Sequence, residues 1–210
     1  MPNFILIGMP ASGKSTLGKM AAAALQYNFV DTDDTIMDTY HADLMHLIDQ
    51  FGIDGFIELE SKILQQVQVE NTIIATGGSA IYSDAAMQHL KQIGTVIYLK
   101  RELSEIAAQV GNLTTRGVVC RNANNLAELY AERCPLYEKY ADVVVSLDKK
   151  KRRTGSSRNC SCGEKYAQRL IFQNSIKTKA AGHRNIRQPA VIVFMRKINR
   201  LAVMRHIKPS

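Results

Sequence analysis

One stretch limits the fold of this chain more than any other: Gly8-Met9-Pro10-Ala11-Ser12-Gly13-Lys14-Ser15, which matches G-x-x-x-x-G-K-[ST]. The pattern carries information when a strand precedes it and a helix follows. Here Asn3-Phe4-Ile5-Leu6-Ile7 is an uncharged apolar run that reads as a buried parallel strand, and Ser15 to Gln26, rich in Ala and Leu, reads as a helix. Glycines in such a loop let backbone N–H groups turn inward around phosphate oxygens, and the helix start adds its positive end. Lys14 is then expected to reach the β- and γ-phosphates of a nucleoside triphosphate, and Ser15 to ligate Mg²⁺ through its hydroxyl.

The segments that follow alternate in the same way. Phe29-Val30, Thr72 to Ala75, Thr95 to Leu99 and Val143 to Val145 read as short strands. Residues 34–69, 83–91, 103–109 and 125–140 read as helices, with breaks expected near Gly52 and Gly55 and an interruption at Pro135. Residues 111–122 are rich in Gly, Asn and Thr and read as a mobile loop. The alternation predicts an α/β fold of the P-loop NTPase class, a parallel sheet flanked on both faces by helices.

Charge divides the 210 residues unevenly. Residues 1–148 hold 10 Lys and Arg against 18 Asp and Glu, whereas 149–210 hold 17 Lys and Arg against the one acid Glu164. An acidic body over 1–148 is therefore expected to form the folded domain, followed by a basic tail. Three readings of the tail stand side by side. It is an element for nucleic acid or anionic membranes, a disordered solvated extension, or the product of a shifted reading frame, which sequencing across codons 150–155 would reveal. Within it, Pro189 to Met195 reads as a strand or an aggregation-prone segment.

With 46% hydrophobic and 22% charged residues, the chain is neither wholly disordered nor fibrous. No apolar run approaches the roughly 20 residues that span a bilayer, and Met1 to Gly8 lacks the basic start of a signal peptide. A cytoplasmic location without membrane attachment is expected. Cys120, Cys134, Cys160 and Cys162 are then expected to be reduced, and their spacing offers no zinc site.

Asp31-Thr32-Asp33-Asp34 falls at the end of the second predicted strand, where ligands of open α/β sheets bind. Asp31 is placed to support Mg²⁺ or accept a hydroxyl proton, and Asp33 to hydrogen-bond a hydroxylated substrate. The alternative is a helix cap by Asp33 or Asp34 ahead of Thr35, which the neighbouring glycine loop makes the lesser reading. Ala75-Thr76-Gly77-Gly78-Ser79 ends the third strand with two glycines that permit close approach of a ligand, or simply a tight turn.

Taken in order, Gly8–Thr16, Asp31–Asp33, Ala75–Gly78, Val96–Leu99, Arg116 and Arg133-Cys134-Pro135-Leu136-Tyr137 resemble the shikimate kinases over residues 3–147. The resemblance implies a nucleoside-monophosphate-kinase-like fold with a five-stranded parallel sheet, an acceptor-binding segment at about 33–62 and a lid at about 111–122. It implies ATP bound by Gly8, Ala11, Ser12, Gly13, Lys14, Ser15 and Thr16, with Mg²⁺ at Ser15 and Asp31. Lys14, Asp31 and Arg116 would act in catalysis. Asp33, Gly77, Gly78 and Arg133 would hold shikimate, Arg133 through its carboxylate. A monomer acting on a small molecule, without nucleic acid, follows from the same likeness.

The sequence departs from the family at the acceptor side. The family phrase F-R-x-x-E is here Phe56-Ile57-Glu58-Leu59-Glu60, so one carboxylate-binding arginine is an isoleucine. A third glycine is Ser79, the proline after the lid arginine is Gly117, and a basic position is Gln109. Loss of a guanidinium removes a bidentate clamp. Two alternatives to shikimate follow: another hydroxylated acceptor such as a hydroxy amino acid, or a nucleic-acid-binding NTPase that uses the basic tail.

Overall fold

The computed structural model describes residues 2–110, 119–120, 123–147, 176–178, 193–194 and 197–198. Strand β1 (Asn3–Ile7) leads through the glycine loop into helix α1 (Lys14–Leu25). Then come β2 (Asn28–Asp31), α2 (Thr32–Tyr40), α3 (Leu44–Gln66), β3 (Thr72–Ala75), a 3₁₀ turn at Ala80–Tyr82, α4 (Asp84–Ile93), β4 (Gly94–Lys100), α5 (Leu103–Val110), α6 (Leu126–Tyr140) and β5 (Val143–Ser146). These five strands are parallel, in the order β2-β3-β1-β4-β5. A sixth, β6 (Ile176–Thr178), pairs antiparallel with β5 at the edge and was not expected from the sequence.

Strands β1 and β3 carry no charge, and neither does Thr95 to Leu99 within β4, because both faces are covered there. Along β1, Ile5 and Ile7 enter one core and Phe4 and Leu6 the other; along β4, Val96 and Tyr98 alternate with Ile97 and Leu99. Successive strand side chains point to opposite faces, so a strand between two helical layers must be apolar throughout. Helices α3, α4 and α6 contribute to the first core and α1 to the second. A third cluster, with Ile36, Leu47, Phe56 and Ile63, lies between α2 and α3.

Two expected breaks are placed differently. Helix α3 turns at Gly52, whose φ of 71° is left-handed, but continues through Gly55. Helix α6 runs unbroken through Pro135. A proline frees the carbonyl four residues earlier. Here that residue is Ala131, and both positions face water, which can satisfy the carbonyl.

Part of the tail joins the second core. Phe194 and Ile198 are fully buried, and the Phe194 ring stacks on Phe4 with centroids 4.2 Å apart. Residues 193–194 and 197–198 are helical, where the sequence suggested a strand for 189–195. Phe194→Ala is expected to lower the unfolding free energy by about 3 kcal/mol. Urea titration of the full chain reads this, and an unchanged midpoint would mean that the stacking contributes nothing.

Candidate active site

The registers Asp31↔Ala75 and Leu6↔Ala75 bring the carboxyl ends of β1, β2 and β3 side by side. Residues that follow those ends line one cavity of about 610 Å³, while Gly8, Ser12 and Asp31 stand outside its lining. Its wall includes Ala11, Gly13, Lys14, Ser15 and Thr16 of the glycine loop and the start of α1, together with Asp33, Gly77, Gly78 and Arg133.

The glycine loop is built for an anion. Gly8 has a φ of 149°, and a Cβ there would sit 2.8 Å from the Leu99 carbonyl oxygen, so the turn admits no side chain. Gly13 caps α1 with no side-chain acceptor, which leaves the first-turn N–H groups available to phosphate oxygens. The Lys14 ammonium, 8% exposed, donates to the carbonyls of Gly8 at 2.8 Å and Met9 at 3.0 Å. Burial pulls its pKa down to about 8, although Asp33 and Asp31 oppose the shift. A buried cation held only by carbonyls is poised for a stronger anionic partner.

Asp31 ends β2 and its Oδ1 accepts from the Asp33 N–H at 3.2 Å, so Asp31 caps α2. The expected cap at Asp33 or Asp34 is corrected: the helix begins at Thr32, earlier than the sequence suggested, and Asp33 is left to line the cavity. Burial, with Asp31 adding to it, pushes the Asp33 carboxyl up to about 6. Gly77 follows β3, its N–H donating to the Thr32 hydroxyl at 3.2 Å. A Cβ on Gly77 would collide with Glu60 Oε1 and approach Asp33 Oδ1, which is why only glycine fits between these two acids.

Glu60 was missed as a site residue in the sequence. It is 1% exposed, and among the described residues neither carboxylate oxygen has a hydrogen-bonding partner of good geometry. Burial pushes its carboxyl up to about 7; the Ser79 hydroxyl, Arg133 and Lys14 draw it partly back, while Asp33 raises it further. Below the ordinary value of 4.5 both folded and unfolded chains hold the proton and nothing is lost. Stability falls as pH rises from there to about 7, by about 3 kcal/mol in all. Glu60→Gln is therefore expected to melt higher than the parent at pH 8, with the gain shrinking toward pH 5. An equal difference at both pH values would show that the carboxyl does not titrate in this way.

Arg133, 1% exposed on α6, donates from Nη2 to the Val119 carbonyl at 2.5 Å and from Nε to the Tyr82 hydroxyl at 3.2 Å. Its Nη1 lies 2.7 Å from where a Cβ on Gly78 would be, at the cavity wall. Ile57 packs into the third apolar cluster rather than lining the cavity. Arg116 and most of the expected lid lie outside the described residues.

Arg101 is a second residue the sequence did not flag. Buried beyond β4, it donates to the Ser12 carbonyl at 2.9 Å and pairs with Glu105 at 3.3 Å. With its amide oriented to suit its neighbours, Gln109 bridges Arg101 Nη1 and the Ala11 carbonyl. The two hold the glycine loop from behind. No sequence pattern links positions 89 residues apart.

A parallel sheet of this order, a glycine loop ending in a buried lysine and a polar pocket beside it define a P-loop phosphotransferase. A family model for shikimate kinase matches residues 10–172. A shikimate kinase of Clostridium botulinum is 34% identical over 154 residues, covering 71% of this chain and 91% of that protein. Shikimate kinase 2 of Photorhabdus laumondii is 35% identical, covering 67% and 84%. Among solved structures, a shikimate kinase from Acinetobacter baumannii in complex with shikimate aligns with a TM-score of 0.63 at 25% identity, covering 82% of this chain and 92% of that one. The chain belongs to the shikimate kinase family, a family of kinases that transfer phosphoryl groups from ATP to an alcohol. No helix among the described residues is long and apolar enough to cross a membrane.

Proposed function

We propose that the chain transfers the γ-phosphoryl group of ATP to a hydroxyl of shikimate, forming shikimate 3-phosphate for aromatic amino acid biosynthesis. The observation that carries this reading is the meeting of Lys14 with Asp33, Gly77, Gly78 and Arg133 around one cavity, in a member of this family. Phosphoryl transfer needs positioning and charge neutralisation more than covalent help from the protein. The backbone N–H groups of Gly13 to Thr16 cradle the triphosphate, and Lys14 neutralises charge on it. Asp33 accepts hydrogen bonds from shikimate hydroxyls, Gly77 and Gly78 line its face, and Arg133 pairs with its carboxylate. Asp31 orients the attacking hydroxyl and takes up its proton. Arg116 is assigned to the transferring group, carried by a lid over 111–122 that keeps water out.

Mg²⁺ suits the oxygen donors present. Ser15, in the first turn of α1, lines the cavity, and Asp31 spends only one hydrogen-bonded oxygen on its cap. A cation that keeps several waters and takes a few protein and phosphate oxygens fits such a set; when bound it would neutralise charge between the phosphates. The residues proposed for catalysis lie within 1–148, with the acceptor-binding segment at 33–62, on a fold to which Ile176–Thr178, Phe194 and Ile198 of the tail contribute; the protein is proposed to work as a cytoplasmic monomer without a nucleic-acid partner.

A second acceptor class rests on Glu60 and Asp33. Two acids beside one guanidinium would suit an acceptor that carries an ammonium near its hydroxyl. ADP release by the full chain with Mg-ATP, run against shikimate and a panel of hydroxy amino acids, separates the two. Shikimate is expected to give the highest kcat/KM. Turnover with a hydroxy amino acid and none with shikimate would overturn the proposal.

A further inference from the structure

The Arg133 guanidinium is held in part by a relay of two residues that do not themselves line the cavity. Tyr82, in the 3₁₀ turn that follows Gly77 and Gly78, donates its hydroxyl proton to Glu132 Oε1 at 2.6 Å and accepts from Arg133 Nε at 3.2 Å. The guanidinium carbon also lies 5.2 Å from the centroid of the Tyr82 ring, within cation–π range. Donation to a carboxylate polarises the phenol and makes its oxygen a better acceptor, so the two bonds strengthen each other. The ring is fixed from below, because it packs against the apolar cluster of α2 and α3. Tyr82 on Nε and the Val119 carbonyl on Nη2 anchor the fork, the Tyr137 hydroxyl stands against it as well, and Nη1 is directed to the wall at Gly78.

The geometry points to Tyr82 as a positioning residue for the acceptor, fixing the orientation of Arg133 while Glu132 fixes Tyr82. The inference rests on the reading of Arg133 as the group that binds the acceptor carboxylate. A planar fork recognises a carboxylate through two parallel bonds, which require a set orientation as well as charge. Arg133 is the one guanidinium among the described residues that line the cavity, so its orientation governs how the acceptor's anionic group is met.

The test uses steady-state kinetics of the full chain, with shikimate varied at saturating Mg-ATP and then the reverse. Tyr82→Phe keeps the ring and removes both hydroxyl bonds. It is expected to raise the shikimate KM roughly tenfold, with kcat and the ATP KM within about twofold. Glu132→Ala is expected to act in the same direction by a smaller factor. Arg133→Lys removes Nε, so in that background Tyr82→Phe is expected to change KM by less than about twofold. A Tyr82→Phe effect that persists in full in the lysine background would assign Tyr82 a structural role and overturn the inference. So would an unchanged shikimate KM in Tyr82→Phe alongside a raised one in Arg133→Lys, which leaves the reading of Arg133 intact. An unchanged KM in Arg133→Lys removes that reading and the inference with it. Thermal melting of each variant, and Glu132→Ala as a substitution at a partly exposed position, keep the outcome readable if one variant folds poorly.

Discussion

Lys14→Ala is expected to lower kcat/KM by about a thousandfold or more, with the fold intact. The magnitude follows from where the ammonium stands. It is buried, bound to two carbonyls of its own loop, and its pKa is pulled down to about 8 by burial. In the empty protein this charge is a cost to the fold. Triphosphate oxygens would supply the opposite charge it lacks and hold it ionised, so the cost is recovered only when nucleotide is bound. Alanine loses that stabilisation of the transferring group and leaves the rest of the loop in place. Its melting temperature is expected to match or exceed that of the parent. ADP release together with a thermal melt checks both halves. Turnover within about tenfold of the parent would take Lys14 away from the triphosphate.

Arg133→Ala is expected to lower kcat/KM for shikimate by about a hundredfold to a thousandfold while the ATP KM stays near its parent value. The acceptor carboxylate would lose a charge-assisted fork and be left near Asp33 and Glu60. Burial raises the carboxyl pKa of both acids, to about 6 and about 7, so each is ionised for only part of the neutral range. The loss is therefore expected to deepen as pH rises from 6 to 8, when both acids carry charge and repel the substrate. Lysine at 133 restores charge without the planar pair of donors and is expected to recover only part of the activity. Initial rates over a grid of both substrates at pH 6 and pH 8 read these effects. Equal losses on the ATP and shikimate axes would place Arg133 in general structural support.

What was legible in the sequence was what repeats locally. The glycine loop, its flanking strand and helix, the Asp33 and Gly77–Gly78 strand ends and the R-x-P-L-Y phrase are short patterns, and the fold brings them to one cavity. The parts that were missed depend on contacts between distant positions. Arg101 reaches Ser12 across 89 residues, and Tyr82 reaches Arg133 across 51. Glu60 reads in the sequence as one more acid on a helix; its burial against Gly77, where a Cβ would collide with it, marks it out. The cap of α2 was misplaced because several residues in Asp31-Thr32-Asp33-Asp34 can each cap a helix, and the choice is made by where β2 stops. Pro135 was read as a break because propensity takes no account of the buried Arg133 and Tyr137 that pin α6 on either side of it.

Strand β6 has a consequence for the chain outside the test tube of kinetics. Without it, β5 would end the sheet with a row of unpaired N–H and C=O groups along Val143 to Val145. Such an edge is a template for another strand, in this chain or a neighbouring one. Three residues of the tail occupy that template. Shortening the tail ahead of Ile176 therefore risks clumping of the protein as it is concentrated, a hazard of handling and of crowded cells that an activity assay at low protein concentration would never register.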